Sequence, residues 1–351
     1  MSKHAIPLTY LSQEELIESG ALDFPLAIKA AADSLVAYKR GDILFPEKIV
    51  QIFDEETQNR INCLPATLVP EKICGMKWVS VFPRNPALFG VQNLSAFILL
   101  SEIEKGFPLA AMDGTLCSNM RVAAMGALAA RHCAREDAET IGFVGAGEQA
   151  KMHLPAMCSV RPGLRVCKVA AGSTADEEAF IACLQPLLPQ ITFVPCATNL
   201  EAAVRDTDIL VTATSAHAPL VKADWIGDGV FYSHIGGWED EFAVVRKADK
   251  IICDDWETVK HRDQTVSLCY HEKVISDADI YGNIADIVDN TLPGRENNKE
   301  FIYFNAVGLS YVDVAIAYAM YTKAVKAGFG KQLFMQERMI FDHDLTGKLS
   351  L

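Results

Sequence analysis

None of the ten cysteines stands at C-x-x-C spacing to another, so a zinc ribbon lacks its ligands and no metal site is expected. Long apolar runs are missing too. The stretch "LSAFILL" is strand-length and too short to cross a bilayer. The opening "MSKHAIPLTYLSQEELIESGALDF" lacks the apolar core of a secretory leader. Positive charge is in short supply, with 32 Lys and Arg against 45 Asp and Glu. The net charge of -13 argues against a nucleic-acid partner, which would need a basic face. Repeats and low-complexity segments are absent. What remains is a chain of 351 residues, half hydrophobic and 22% charged. That is enough for about two domains with substantial cores and no need of disulfides. A soluble cytoplasmic protein with reduced cysteines and no membrane partner is expected.

The texture changes along the chain. In the first region "SQEELIESG" opens with a capping box from Ser12 to Glu15. "RINCLPATL", "ICGMKWVSVF", "SAFILLSEI" and "PLAAMDG" read as strands with no helix between them, which predicts an antiparallel or mixed sheet. After the Ala-rich helix "SNMRVAAMGALAARHCA", strands and helices alternate through "TIGFVG", "RVCKVAA", "TFVPC", "DILVTATS", "GVFYSHIG" and "KIICDD". Alternation of this kind predicts a parallel sheet covered on both faces. The acidic "ADEEAF" reads as a solvated helix start. A last long helix, "SYVDVAIAYAMYTKAVKAGFG", carries Asp313 near its start, where a carboxylate suits the helix dipole. The residues after it are expected to return to the first domain. The fold class is therefore α/β, with a doubly wound parallel sheet of Rossmann type inserted into a discontinuous α+β domain. The boundaries are set at 1–122 plus 306–351, and 123–305.

"IGFVGAGEQAKMHLPAM" joins a strand to a helix through Gly145-Ala146-Gly147-Glu148-Gln149-Ala150. The first glycine allows the turn, the second admits a pyrophosphate, and small Ala150 lets helix and strand pack closely. The helix N-terminus then offers free N–H groups to the phosphates. In this strand–turn–helix context the pattern reads as a dinucleotide cradle. The cofactor is NAD or NADP. No acid stands at Ala171 or Gly172, where an NAD site usually carries one, and Ser173 and Thr174 could bond a 2′-phosphate. The balance tips slightly to NADP, with both kept. Thr212 and Ser215, at the end of "VTATS", are candidate contacts to the ribose or nicotinamide; a strand threonine and a capping serine are the plain alternatives.

Several stretches in order resemble the ornithine cyclodeaminase/mu-crystallin family: "NRINCLPATL", "GMKWVSVFPRNP", "GFPLAAMDGTLCSNMRVAAMGALAA", "GFVGAGEQA", "DILVTATS" and "AVGLSYVDVAIA". The resemblance runs from Leu44 to about Gly330. It implies a Rossmann domain inserted into a substrate domain that also forms a homodimer. It further implies a nicotinamide cofactor that moves hydride at an amino-acid Cα–N bond. By position, Arg60, Lys77 and Arg121 match the family's carboxylate-binding residues, Lys48 matches a further family lysine and is a candidate substrate contact, and Ser118 and Gly308 fall in matched stretches as cofactor contacts. The residues agree with these roles. An amino-acid carboxylate needs fixed cations, and a lysine in an otherwise apolar strand, as at Lys77, is seldom a core residue unless paired. Lys77 is also a candidate base on the amino group.

One departure matters. Where the cyclodeaminase carries a catalytic aspartate directly after "GG", this chain has Trp238, which cannot transfer a proton. Glu239 or Asp240 is then the candidate substitute, or the cyclisation is absent. Trp238 is either a pocket wall or an apolar lid. The "ICDDWETVKHRDQT" segment is similar to the branch that oxidises N-(2-amino-2-carboxyethyl)-L-glutamate. The leading expectation is an amino-acid dehydrogenase or imine reductase acting on a small amino or imino acid. Ornithine cyclodeaminase and a non-catalytic NADPH-binding protein of mu-crystallin type are the alternatives. His132 and His153 read as structural, and His234 as a weak site candidate.

Overall fold

The computed structural model describes residues 4–348 and 350. Positions 1–3, 349 and 351, at the outer ends of the expected first domain, lie outside the described residues. Residue contacts divide the chain into two compact units. One comprises Met1–Asp23, Gly41–Ser118 and Asp313–Leu351; the other comprises Phe24–Arg40 and Asn119–Val312.

The first unit is built on one mixed sheet. Its strands are β1 (Ile6–Leu11), β2 (Ile43–Leu44), β3 (Ile49–Asp54), β4 (Asn59–Leu68), β5 (Ile73–Val81), β6 (Leu94–Glu102), β7 (Pro108–Asp113) and β18 (Lys331–Gln336). The order is β18-β1-β7-β6-β5-β4-β2, with β3 also pairing β4. Only β1 and β7 run parallel; the other neighbours are antiparallel. Along β4 and β5 buried and more exposed residues alternate, so one face is covered and the other is open. Helix α1 (Gln13–Glu18) carries the capping box read from the sequence, with Ser12 and Glu15 bonding each other's backbone.

The second unit takes α2 (Phe24–Lys39), which packs on α11 (Ile284–Val288) and α5 (Glu148–Val160). Its sheet contains β8 (Thr140–Val144), β9 (Val166–Ala170), β10 (Thr192–Pro195), β11 (Ile209–Thr212), β13 (Phe231–His234), β15 (Lys250–Cys253), β16 (Gly282–Asn283) and β17 (Ile302–Asn305). The order is β10-β9-β8-β11-β13-β17-β15-β16, and every pairing is parallel. The inner strands β11, β13, β15 and β17 are buried at all four positions, as strands covered on both faces must be. Order reverses after β8, because β9 and β10 lie to one side and β11 to the other. In open α/β sheets ligands bind at the carboxyl ends of strands around such a point. A separate parallel pair joins β12 (His217–Val221) to β14 (Trp238–Asp240).

Candidate active site

The glycine turn follows β8. Gly145 has φ +102°, and a Cβ there would lie 2.6 Å from the Ala213 carbonyl oxygen. Only glycine makes this turn without strain. Gly147 caps α5 with extended backbone, and nothing lies within 4 Å of the place its Cβ would take. The first N–H groups of α5 therefore open onto free space, as an anion cradle requires. Ala150 is fully buried. Glu148 pairs with Lys151 on the surface, and the Gln149 side chain turns away to donate to the Asn119 oxygen at 2.9 Å.

Beside the turn lies a cavity of about 300 Å³, lined by Gly145, Ala171, Gly172, Thr198, Thr214 and Leu220 among others. No cation lines it. Ser173 is the N-cap of α6 (Thr174–Leu184). Its hydroxyl accepts from the Asp176 N–H and donates to the Asp176 carboxylate at 2.6 Å. Thr174 and Asp176 are exposed. Glu177, read from the sequence as part of a solvated helix start, is instead fully buried. It accepts N–H bonds from Ala171, Ala197 and Thr198. One carboxylate thus ties together the ends of β9 and β10 that shape the cavity, through charge-assisted bonds.

At the ends of β11 and β13 the structure corrects the sequence reading. Thr212 is buried and donates to Glu239 at 2.7 Å, with the Tyr232 hydroxyl at 3.0 Å, so its side chain faces the core rather than a ligand. Ser215 is exposed. Glu239 also accepts the N–H groups of Thr214 and Gly236. Asp240 accepts from Thr265 at 2.7 Å and from Tyr303 at 3.1 Å, and lies 3.3 Å from His234 Nε2. Burial raises the Asp240 pKa to about 6, opposed by His234 and the hydroxyl donors. Both acids have zero exposed surface, so neither can touch a substrate in this conformation. Their inward bonds make them clamps on the strand ends, not the proton donors expected of them. The Trp238 ring is partly buried and stacks on Phe242 with centroids 6.0 Å apart. His234 Nδ1 lies 2.9 Å from the Asn305 oxygen, and Asn305 donates in turn to Gln264.

Arg121 lies on α4 (Thr115–Cys133) and is nearly buried. A Cβ on Gly308 would meet its Nη1 at 2.3 Å, so the guanidinium lies against the bare glycine, whose φ is +106°. Behind that loop Asp254 accepts the N–H groups of Val307 and Gly308. Burial raises the Asp254 pKa to about 6, while these bonds and nearby Arg121 oppose the shift.

In the first unit Lys77 is 3% exposed and bonds Asp313 at 2.8 Å. Asp313, credited from the sequence only with favouring the helix dipole, is the buried partner at the start of α12 (Ser310–Lys326). Sequence spacing could not show this, because the two are joined only by the fold. In register Leu64 stands opposite Lys77 and Arg60 opposite Val81. Paired and alternate residues share a side of a sheet. Arg60, Asn62 and Lys77 therefore share the covered face. Arg60 is half-buried and donates to the Gln58 carbonyl. Lys48 directly precedes β3. Ser118 is buried in the first turn of α4. Asn62 went unnoticed in the sequence. Among the described residues no cluster of three or more His, Cys, Asp or Glu could hold a metal, and no helix is long and apolar enough to cross a membrane.

Comparison with known proteins gives these observations a context. Residues 10–328 match the model of the ornithine cyclodeaminase/mu-crystallin family. The chain is 26% identical over 330 residues to N-((2S)-2-amino-2-carboxyethyl)-L-glutamate dehydrogenase of Staphylococcus aureus, covering 93% of this chain and 98% of that protein. Among solved structures it is similar to Thermococcus litoralis Delta(1)-pyrroline-2-carboxylate reductase in complex with NADH and L-proline. That TM-score is 0.87 at 29% identity, over 92% of this chain and 99% of the other. An archaeal alanine dehydrogenase dimer with bound NAD aligns with a TM-score of 0.86 at 28% identity, over 94% and 100%.

Proposed function

The chain belongs to the ornithine cyclodeaminase/mu-crystallin family, and from that premise we propose that it is an NAD(P)-dependent oxidoreductase. It moves hydride at the Cα–N bond of an L-amino acid, an N-substituted amino acid or an imine. The observation that carries this reading is the buried Lys77–Asp313 pair on a face shared with Arg60, in a chain that also holds a bare glycine cradle. The full-length likeness to dehydrogenases and an imine reductase supports it.

In this reading Arg60, Arg121 and Lys48 each offer positive charge to the substrate carboxylate. Lys77, held by Asp313, takes and returns the proton on the substrate nitrogen. The N–H groups from Ala146 to Gln149 cradle the pyrophosphate beside the bare Gly145, whose own N–H is donated to the Ala170 carbonyl, and Ser118, Ser215 and Gly308 are further proposed cofactor contacts. The nicotinamide, when bound, supplies or accepts the hydride. For the cofactor we favour NAD, against the slight tilt of the sequence toward NADP. Ser173 is engaged by the exposed Asp176 carboxylate, and no cation lines the cavity to receive a 2′-phosphate.

A homodimer is proposed through the open face of the first unit's sheet. There Trp78 stands opposite Phe97, and Tyr10 and Leu333 continue the exposed apolar surface. All ten cysteines are free, which supports a reducing, cytoplasmic setting.

The test is to give the purified protein NAD or NADP with a panel of amino and N-carboxyalkyl amino acids, following nicotinamide absorbance and ammonia together. Reduced cofactor accumulating with one substrate is the expected result. Ammonia and proline from L-ornithine without net reduction would overturn it in favour of the cyclodeaminase.

A further inference from the structure

We propose that Asn62 is a substrate contact that selects an amino or imino acid whose side chain carries a hydrogen-bond donor. This rests on the reading of Arg60 and Lys77 as substrate-binding groups. Asn62 is only 9% exposed, and its side-chain oxygen has no hydrogen-bond partner among the described residues. Its nearest neighbours across the sheet on the covered face are apolar, with Arg60 and Lys77 further off in register. Val79 stands opposite it in register, Ala96 follows on β6, and Leu64 is the next residue of β4 on that face. An amide oxygen left unbonded among such neighbours costs stability, and leucine or valine would fill the place at no such cost.

Its position gives the cost a use. Asn62 lies midway in register between Arg60 and the residue opposite Lys77, about 7 Å along the strand from each. It therefore sits between the two groups assigned to the carboxylate and the reacting nitrogen. A carboxylate has no proton to give, so the unmet acceptor calls for an N–H or O–H elsewhere on the substrate. With Lys77 assigned to the α-nitrogen, that donor is on the side chain: an ammonium, an amide or a hydroxyl. A buried acceptor of this kind rejects apolar analogues, because binding them leaves it unpaired.

The experiment compares the wild type with Asn62→Leu on L-alanine, L-proline, L-serine, L-asparagine, L-ornithine and L-2,3-diaminopropionate. It reads kcat/KM, the NADH dissociation constant by fluorescence, and the melting temperature. The wild type is expected to prefer one of the polar side chains over alanine and proline by about 100-fold or more. Asn62→Leu should bring the two groups to within about tenfold while binding NADH as before and melting no lower than the wild type. A lower melt with all substrates falling in parallel would make Asn62 structural and overturn the proposal. Equal use of alanine or proline by the wild type would overturn it while leaving the dehydrogenase reading intact. If NADH binds but none of these substrates yields reduced cofactor, this inference fails, while the dehydrogenase reading is decided separately by the N-carboxyalkyl amino acids of the wider panel.

Discussion

Lys77→Met tests whether the buried ion pair does two separable jobs. Lys77 and Asp313 lie 2.8 Å apart, with side chains 4% and 0% exposed. Methionine matches the lysine stem but takes away the charge that faces Asp313. Removing one partner of a buried pair typically costs about 3–5 kcal/mol, because the remaining charge loses its compensation. Against a total stability of roughly 5–15 kcal/mol this is a large fraction. Urea denaturation should show it as a lower midpoint. The double variant Lys77→Met with Asp313→Leu replaces both charges with apolar groups and should recover most of the loss, to within about 1 kcal/mol. Neither variant should turn over substrate. Recovered stability without recovered activity would separate the chemical role from the structural one. A double variant no more stable than Lys77→Met would refute the reasoning, and so would a single variant that unfolds like the wild type.

Asp176→Ser should strengthen NADPH binding by about fivefold with little change for NADH, since one surface carboxylate near a phosphate contributes about 1 kcal/mol; fluorescence titration with both cofactors checks this, and an unchanged ratio counts against it. Asp254 and Asp240 hold their protons up to about pH 6, against 3.8 for an ordinary aspartate. The folded state therefore binds more protons than the unfolded one between about pH 4 and 6, and stability falls as pH rises through that window by at most roughly 3 kcal/mol per group. Arg121, Asp255 and the loop N–H groups face Asp254, and Asp254→Asn should flatten the slope; an unaltered slope in urea melts across pH 4–6.5 would refute the assignment. Gly308→Ala puts a methyl where Arg121 lies, at a proposed cofactor contact, and should raise both the amino-acid KM, at least tenfold, and the NADH dissociation constant, whereas an unchanged KM removes Arg121 from the substrate site. Trp78→Arg should shift the protein toward monomer in sedimentation, and an intact dimer would exclude that face.

How much could be read in advance depended on where each signal resided. The strands "TIGFV", "VCKVA" and "ILVT" and the turn between Gly145 and Gly147 announce themselves, because burial on both faces demands continuous apolar runs and the turn demands glycine. The central strand β17 escaped, since four buried residues, Ile302–Asn305, follow a polar stretch rich in turn formers. Strand β18 escaped because every residue but Gln336 is exposed, leaving no alternation to detect. Among the proposed site residues, Arg60 and Lys77 are singled out by resemblance, and Lys77 also by its apolar surroundings. Glu177, Glu239 and Asp313 look like ordinary acids in a sequence. Their burial follows from partners 20, 27 and 236 residues away, and no local pattern records such distances.

Strand β1 is held between β7 and β18, the latter more than 300 residues further along the chain. As the chain is made, β1 has one edge without a partner until residue 331 emerges, while every strand of the parallel sheet is complete by residue 305. The nucleotide-binding unit can thus close on itself before the sheet that carries Lys77 and Asn62 is finished. Pairings between distant residues form slowly, and a waiting strand edge is open to the wrong neighbour. The last strand, lying just beyond the family match, therefore also governs how long the nascent first unit remains exposed to misassembly.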